Sequence, residues 1–302
     1  MRIEFIAYES LGVRSMSTFV ETNDLRIYID PGISLAPRRY GLPPHETEIR
    51  RLNDLAKKIY ERAKESDVII ITHYHFDHHD RGKRIPLDIY DGKIVFIKDP
   101  TNNINTSQRI RASIFLKLIR DRVRKLDIAD NNSVMIGSTR IVFSPPVPHG
   151  TDPRLGYVVQ VHISDKDQSF LFTSDIEGAP REEHLEWILR FKSDIIVLDG
   201  PLTYMLGYKL SREELERSVK NMIHVIKMIS PTSMIIEHHL LRDRNYKENI
   251  REVYEVAESS NVKISTAAEF MGLENMFLEA NRDILYGRRH EKETIESEYE
   301  EF

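Results

Sequence analysis

Short apolar runs, mostly β-branched, recur along the chain and alternate with longer stretches whose apolar positions return every three or four residues. The short runs predict strands at Ile3–Ala7, Leu25–Ile29, Val68–Ile71, Ile94–Ile97, Arg140–Phe143, Tyr157–His162, Phe170–Phe172, Ile195–Leu198 and Met234–Ile236. The longer stretches predict helices at Glu46–Glu65, Ser107–Lys125, Arg181–Phe191, Arg212–Met228 and Tyr246–Glu258. Ser211 followed by Glu214 makes a capping box for the fourth helix. Early strands follow one another closely, and later ones alternate with helices. Neither a Gly/Ser/Pro-rich linker nor an internal repeat divides the chain. The pattern predicts one layered α/β domain over residues 1–302, with a helical insertion around 99–130 and an acidic tail at 291–302.

Composition narrows the class. With 40% hydrophobic and 30% charged residues the chain reads as globular, and a net charge of −5 gives no global field for nucleic acid. No cysteine is present, which removes thiolate ligands, disulfides and cysteine nucleophiles together. High charge, no cysteine and only three glutamines (Gln108, Gln160, Gln168) lean towards a thermophilic composition. The N-terminal residues lack a signal-peptide core, and no stretch approaches the ~18–20 apolar residues of a membrane span. A cytoplasmic protein with no membrane partner is the expectation.

The chemistry concentrates where the apolar run Ile69-Ile70-Ile71 passes through Thr72 into His73-Tyr74-His75-Phe76-Asp77-His78-His79-Asp80. In an extended chain alternate side chains share a face, so His73 and His75 point the same way and can hold one cation through neutral nitrogens. Asp77 and His78 follow where the chain must turn and can reach a second ion.

This His-x-His-x-Asp-His run resembles the signature of the metallo-β-lactamase superfamily. Four further motifs stand in the order that family has them: Tyr28-Ile29-Asp30-Pro31-Gly32, Pro148-His149-Gly150, Phe172-Thr173-Ser174-Asp175 and Ile235-Ile236-Glu237-His238-His239. The resemblance implies a four-layer αββα sandwich and a binuclear hydrolase that uses a metal-bridging hydroxide. It implies that His73, His75 and His149 bind the first metal, that Asp77, His78 and His238 bind the second, and that Asp175 bridges them. His239 stays open as the alternative to His238, and Asp30 would orient a ligand histidine. The flavodiiron branch carries Glu where this chain has His75, which disfavours redox chemistry. The stretches Glu9–Ser15, Tyr40–Pro44 and His238–Asp243 resemble a mostly archaeal group of predicted metal-dependent hydrolases, from which no substrate carries over.

Imidazole and carboxylate ligands make zinc the expected metal, with iron or manganese as alternative occupants. Asp77 and Asp175 would orient the nucleophile, and His239, if not a ligand, would protonate the leaving group. Arg109 and Arg111, near the start of the second predicted helix, are candidate phosphate contacts. A phosphodiester or other phosphate-bearing substrate follows, small-molecule or nucleotide, with nucleic acid and a homo-oligomer left open. The alternatives are a lactonase or thioesterase acting on carboxylic esters, and a non-catalytic metal-binding module.

Overall fold

The continuous apolar runs of the first half form a six-stranded mixed sheet in sequence order. It comprises β1 (Arg2–Tyr8), β2 (Met16–Glu21), β3 (Arg26–Ile29), β4 (Val68–Ile71), β5 (Ile94–Ile97) and β6 (Lys125–Ile128) in this computed structural model, which describes residues 1–288. Pairing is antiparallel from β1 to β3 and parallel from β3 to β6. The second half repeats the plan with β7 (Ser133–Ile136), β8 (Thr139–Phe143), β11 (Val161–Ser164), β12 (Ser169–Phe172), β13 (Ile195–Asp199), β14 (Ser233–Glu237) and β15 (Lys263–Ser265). Strands β7 to β12 pair antiparallel and β12 to β15 parallel. Between β8 and β11, β9 (Val147–Pro148) and β10 (Tyr157–Val158) make a two-stranded pair of their own.

Side-chain alternation builds the layers. Phe170, Phe172, Ile195, Val197 and Ile235 face a core shared with the first sheet, whereas Leu171, Ile196, Leu198, Met234 and Ile236 face a second core. The second core is covered by α3 (Glu182–Ile188), α4 (Arg212–Ile229) and α6 (Arg251–Ser259), the first by α1 (Glu46–Glu65) and α2 (Thr106–Ile119). Helix α1 turns Leu52, Leu55, Ala56, Ile59 and Ala63 inward, and its start is fixed by a reciprocal cap between His45 and Glu48. The predicted Ser211–Glu214 box is present at α4, with Glu214 N donating to Ser211 Oγ at 3.1 Å and Ser211 N to Glu214 Oε2 at 2.8 Å. Among the described residues no helix is long and apolar enough to cross a membrane.

Three expectations need correction. The helix expected over Ser107–Lys125 stops at Ile119, and β6 joins the sheet edge by pairing with β5. Sheet pairing therefore outweighs helix propensity in the second half of the stretch around 99–130. The strand expected over Tyr157–His162 is split, because Val159 N bonds Thr72 O at 3.2 Å and crosses to the first sheet. The helix expected over Tyr246–Glu258 breaks at Ile250, which separates α5 (Tyr246–Asn249) from α6. Two short helices, α7 (Ala267–Phe270) and α8 (Arg282–Leu285), end the described chain, and the acidic tail at 291–302 lies outside the described residues.

Candidate metal centre

Carboxyl ends of the parallel strands in both sheets meet at one edge of the sandwich, and the candidate residues lie there. Asp30 follows β3, His73 to His78 follow β4, Asp175 follows β12, and His238 and His239 follow β14. Asp30, Ser174, Glu177 and His238 all have left-handed backbone, with φ of 51°, 55°, 49° and 61°. Such conformations in non-glycine residues persist where the surroundings over-determine them. Here each chain must turn out of a buried strand and aim a polar side chain inward.

Asp175 stands at the focus. Its Oδ2 lies 3.1 Å from His149 Nε2, 3.3 Å from His238 Nε2 and 3.6 Å from His73 Nε2, and its Oδ1 lies 3.1 Å from His78 Nε2. His75 joins through Nδ1, 3.1 Å from His73 Nε2, and Asp77 Oδ2 lies 3.7 Å from His238 Nε2. Ligand atoms held about 2.0–2.2 Å from one ion stand about 3–3.5 Å from each other, and this cluster has that spacing. Several overlapping sets could hold a cation, among them His73, His75, His149 and Asp175, and Asp77, His78 and His238. His78 Nε2 and Asp175 Oδ1, buried and 3.1 Å apart, are not aligned for a hydrogen bond with each other or with another group among the described residues, and a cation between them would satisfy both.

Electrostatics agree with that fit. Burial holds the His73 and His75 imidazoles well below the usual histidine range, so they present neutral nitrogen donors. Burial also disfavours charge on His78, His149 and His238, yet nearby carboxylates outweigh it and raise all three. For His78 and His149 the main opposing group is Asp175, and for His238 it is Glu9. The carboxylates thus draw protons into positions that cations can take instead. The His/Asp cluster can hold divalent metal.

Buried carboxylates behind the histidines fix their tautomers. Asp30 accepts from His78 Nδ1 at 2.8 Å, Thr72 N at 2.8 Å and Thr72 Oγ1 at 2.6 Å. Glu9 accepts from His238 Nδ1 at 2.9 Å, and Asp199 from His239 Nδ1 at 3.0 Å. Each bond directs the histidine's Nε2 away from its carboxylate. His239 borders a cavity of about 280 Å³ shared with His75, Asp77, His149, Asp175 and Glu177.

Residues 25–239 match the family model described as the β-lactamase superfamily domain. A UPF0282 protein of Sulfurisphaera tokodaii is 52% identical over 98% of this chain and 96% of its own length. Another, of Saccharolobus solfataricus, is 53% identical over 95% of this chain and 93% of its own. The chain belongs to the UPF0282 family of the metallo-β-lactamase superfamily. Solved structures with the same fold include YhfI of Bacillus subtilis, with a TM-score of 0.53 and 13% identity over 88% of this chain and 96% of that one. A Veillonella parvula protein described as a possible metal-dependent hydrolase has a TM-score of 0.51 and 14% identity over 85% and 95% of the two chains.

Set on this UPF0282 fold, His73, His75, Asp77, His78, His149, Asp175 and His238 come together, with Asp30 behind them. Between the two candidate histidines, His238 is grouped with Asp77 and His78, while His239 is also within reach of Asp175. Arg111 lines the cavity, its guanidinium 4.4 Å over the Phe76 ring. Arg109 does not line it: the side chain is exposed and reaches back to Thr101 O at 3.4 Å. Two residues along a helix turn the side chain by about 200°, so both arginines cannot face one cavity. Sequence reasoning missed Glu9, Asp199 and Glu177, and the structure adds two arginines, Arg14 and Arg242. Both arginines line the cavity. Glu9 reaches His238 across 229 positions of chain, and no local pattern announces such a pair.

Proposed function

We propose that this protein is a binuclear metal-dependent hydrolase of phosphodiesters. The observation that carries the metal reading is the Asp175 carboxylate, within 3.1–3.6 Å of the Nε2 atoms of four histidines drawn from three strand ends. His73, His75 and His149 would hold one ion, Asp77, His78 and His238 the other, and Asp175 would span them. Zinc suits this donor set, with iron or manganese as alternatives. When bound, such ions supply Lewis acidity and bring the pKa of water close to neutrality.

The chain's own groups do the rest. Asp77 and Asp175 face the cavity and orient the attacking water. Burial and the neighbouring Arg242 keep His239 neutral, its Nδ1–H held by Asp199 and its Nε2 able to accept a proton. His239 takes the proton of the attacking water there and passes it to the leaving oxygen, while Asp199 stabilises the imidazolium formed between the two transfers. Arg14, Arg111 and Arg242 line the same cavity and favour an anionic substrate over a neutral lactone or thioester.

The test is hydrolysis of bis-p-nitrophenyl phosphate by metal-reconstituted protein, with His73→Ala as control. Turnover is expected in the native protein and absent from the variant. Silence in fully metal-loaded protein, with turnover of lactones or thioesters instead, would reject the phosphodiester reading.

A further inference from the structure

Four buried carboxylates stand beside histidines of the site, and one of them differs from the other three. Asp30 accepts from His78 Nδ1 and twice from Thr72, and Glu9 from His238 Nδ1 and Arg242. Asp199 accepts from His239 Nδ1 at 3.0 Å, His239 N at 3.1 Å and Glu177 N at 2.8 Å. None of these three lines the cavity. Glu177 does, with 5% of its side chain exposed. The side-chain donor facing its carboxylate among the described residues is His149 Nδ1, 3.5 Å from Oε1, which is longer than a well-formed hydrogen bond. A buried carboxylate needs donors, so one left under-bonded on a cavity wall calls for an explanation.

The chain fixes this side chain by other means. Glu177 has a left-handed φ of 49°, between Ser174 at 55° and Ala179 at 54°. Its N–H is held by Asp199, and its carbonyl accepts from Ser218 Oγ at 3.3 Å. Gly150 leaves the space that the carboxylate fills, since a Cβ there would stand 2.2 Å from Oε2 and 2.3 Å from the carboxyl carbon. One imidazole separates Glu177 from the centre of the cluster, because His149 turns Nδ1 to Glu177 and Nε2 to Asp175 Oδ2 at 3.1 Å. Solvent serves a carboxylate in an open cavity. A substrate that fills the cavity displaces that solvent, and one without a donor leaves the carboxylate unpaired.

We propose that Glu177 is a specificity-determining acceptor, and that the substrate is a phosphodiester with an O–H or N–H donor close to its scissile phosphate. This rests on the phosphodiesterase reading for its reaction, though not for its binding arm.

The test uses three p-nitrophenyl phosphodiesters that share a leaving group and differ in the other ester: propyl, 3-hydroxypropyl and 3-aminopropyl. With zinc-loaded protein, kcat/KM for the hydroxypropyl or the aminopropyl ester should exceed that for the propyl ester about ten- to a hundredfold, the scale of one hydrogen bond to a charged group. Which of the two leads tells a hydroxyl from an ammonium substrate. In Glu177→Met, which keeps the length and removes the carboxylate, the advantage should fall to within about twofold. Glu177→Gln keeps the shape and one uncharged acceptor, and should cut the advantage about fivefold. Bound zinc is counted in each variant, so that lost metal is not read as lost recognition. Equal rates for the three esters in native protein, or an advantage unchanged in both variants, would overturn the proposal. So would an equal loss on all three esters, which would mean that Glu177 acts only through His149. Calorimetry with propyl, 3-hydroxypropyl and 3-aminopropyl phosphate reads the same preference without turnover. Silent diesters beside a donor preference that Glu177→Met abolishes would reject the reaction and leave the acceptor role standing.

Discussion

Gly32 lies against the backbone of the metal-binding turn, and adding one carbon there tests how that turn is held. A Cβ at position 32 would stand 2.2 Å from His79 N, 2.3 Å from His78 C and 2.6 Å from His78 N. Ordinary carbon contacts begin near 3.5 Å, so the turn or the Gly32 strand end must move by about 1 Å. The obstructing atoms are backbone, so no rotamer change relieves them. Gly32 is itself tied on both sides, with Ser15 Oγ donating to its carbonyl at 2.7 Å and its own N–H bonded to Asp30 O at 2.8 Å. Gly32→Ala should therefore cost about 1–3 kcal/mol of stability, the range for overpacked interiors. It should also lower bis-p-nitrophenyl phosphate turnover on the order of a hundredfold, since displacing a catalytic constellation by 1 Å has that scale of effect. Thermal denaturation of metal-free protein reads the first effect, and metal binding with single-substrate kinetics reads the second. A variant with native melting temperature and native metal affinity would refute the reasoning, because the atoms nearest a Cβ at position 32 are all backbone atoms of the His78–His79 turn.

Arg282, with no exposed surface, donates to Glu48 Oε2 at 2.8 Å and Oε1 at 2.9 Å and to the carbonyls of Leu42 and Ala36, both at 3.0 Å. Arg282→Ala should destabilise by about 3–5 kcal/mol in denaturant unfolding, and a loss below about 1 kcal/mol would contradict a buried pair left half-broken. His162, stacked on Phe191 at 4.1 Å, is pushed down to about 4 by burial and then by Arg140. The unfolded chain therefore binds the extra proton first, so stability should fall as pH drops from about 6.5 to about 4, by up to about 3 kcal/mol. His162→Phe should lose that part of the slope, and an unchanged slope in metal-free protein would contradict it. Arg111→Ala should raise KM for phosphodiesters about tenfold or more while Arg109→Ala leaves it within about twofold. Equal effects of the two would place the phosphate outside the cavity.

How much of this was readable in the chain depends on the distance over which each signal acts. Strand β4 and the His73–His78 run were legible because a doubly buried strand is continuously apolar and its ligands follow at strand spacing. Asp30, His149, Asp175 and His238 were legible through local motifs at strand ends, although the structure rather than the sequence shows His238 beside Asp77 and His78. Glu9, Asp199 and Glu177 carried no such signal, since each is a single acidic residue whose partner comes from another element. Arg109 misled because a basic run at a helix start does not give the helix its rotation about its own axis. The edge strand β6 was hidden within a basic, partly apolar stretch that reads as helix until pairing with β5 is available. The capping box at α4 shows the opposite case, a contact three residues apart that needs no tertiary knowledge.

The proposed hydrolysis requires two ions to work together in one His/Asp cluster. The measurement that meets it most directly is bis-p-nitrophenyl phosphate hydrolysis by metal-free protein titrated with zinc, with bound metal counted in parallel by mass spectrometry. Activity should climb until two ions are bound per chain and then level off, and Asp175→Ala should neither retain the second ion nor turn over substrate. A plateau at one ion, or native stoichiometry and rate in Asp175→Ala, would contradict the account.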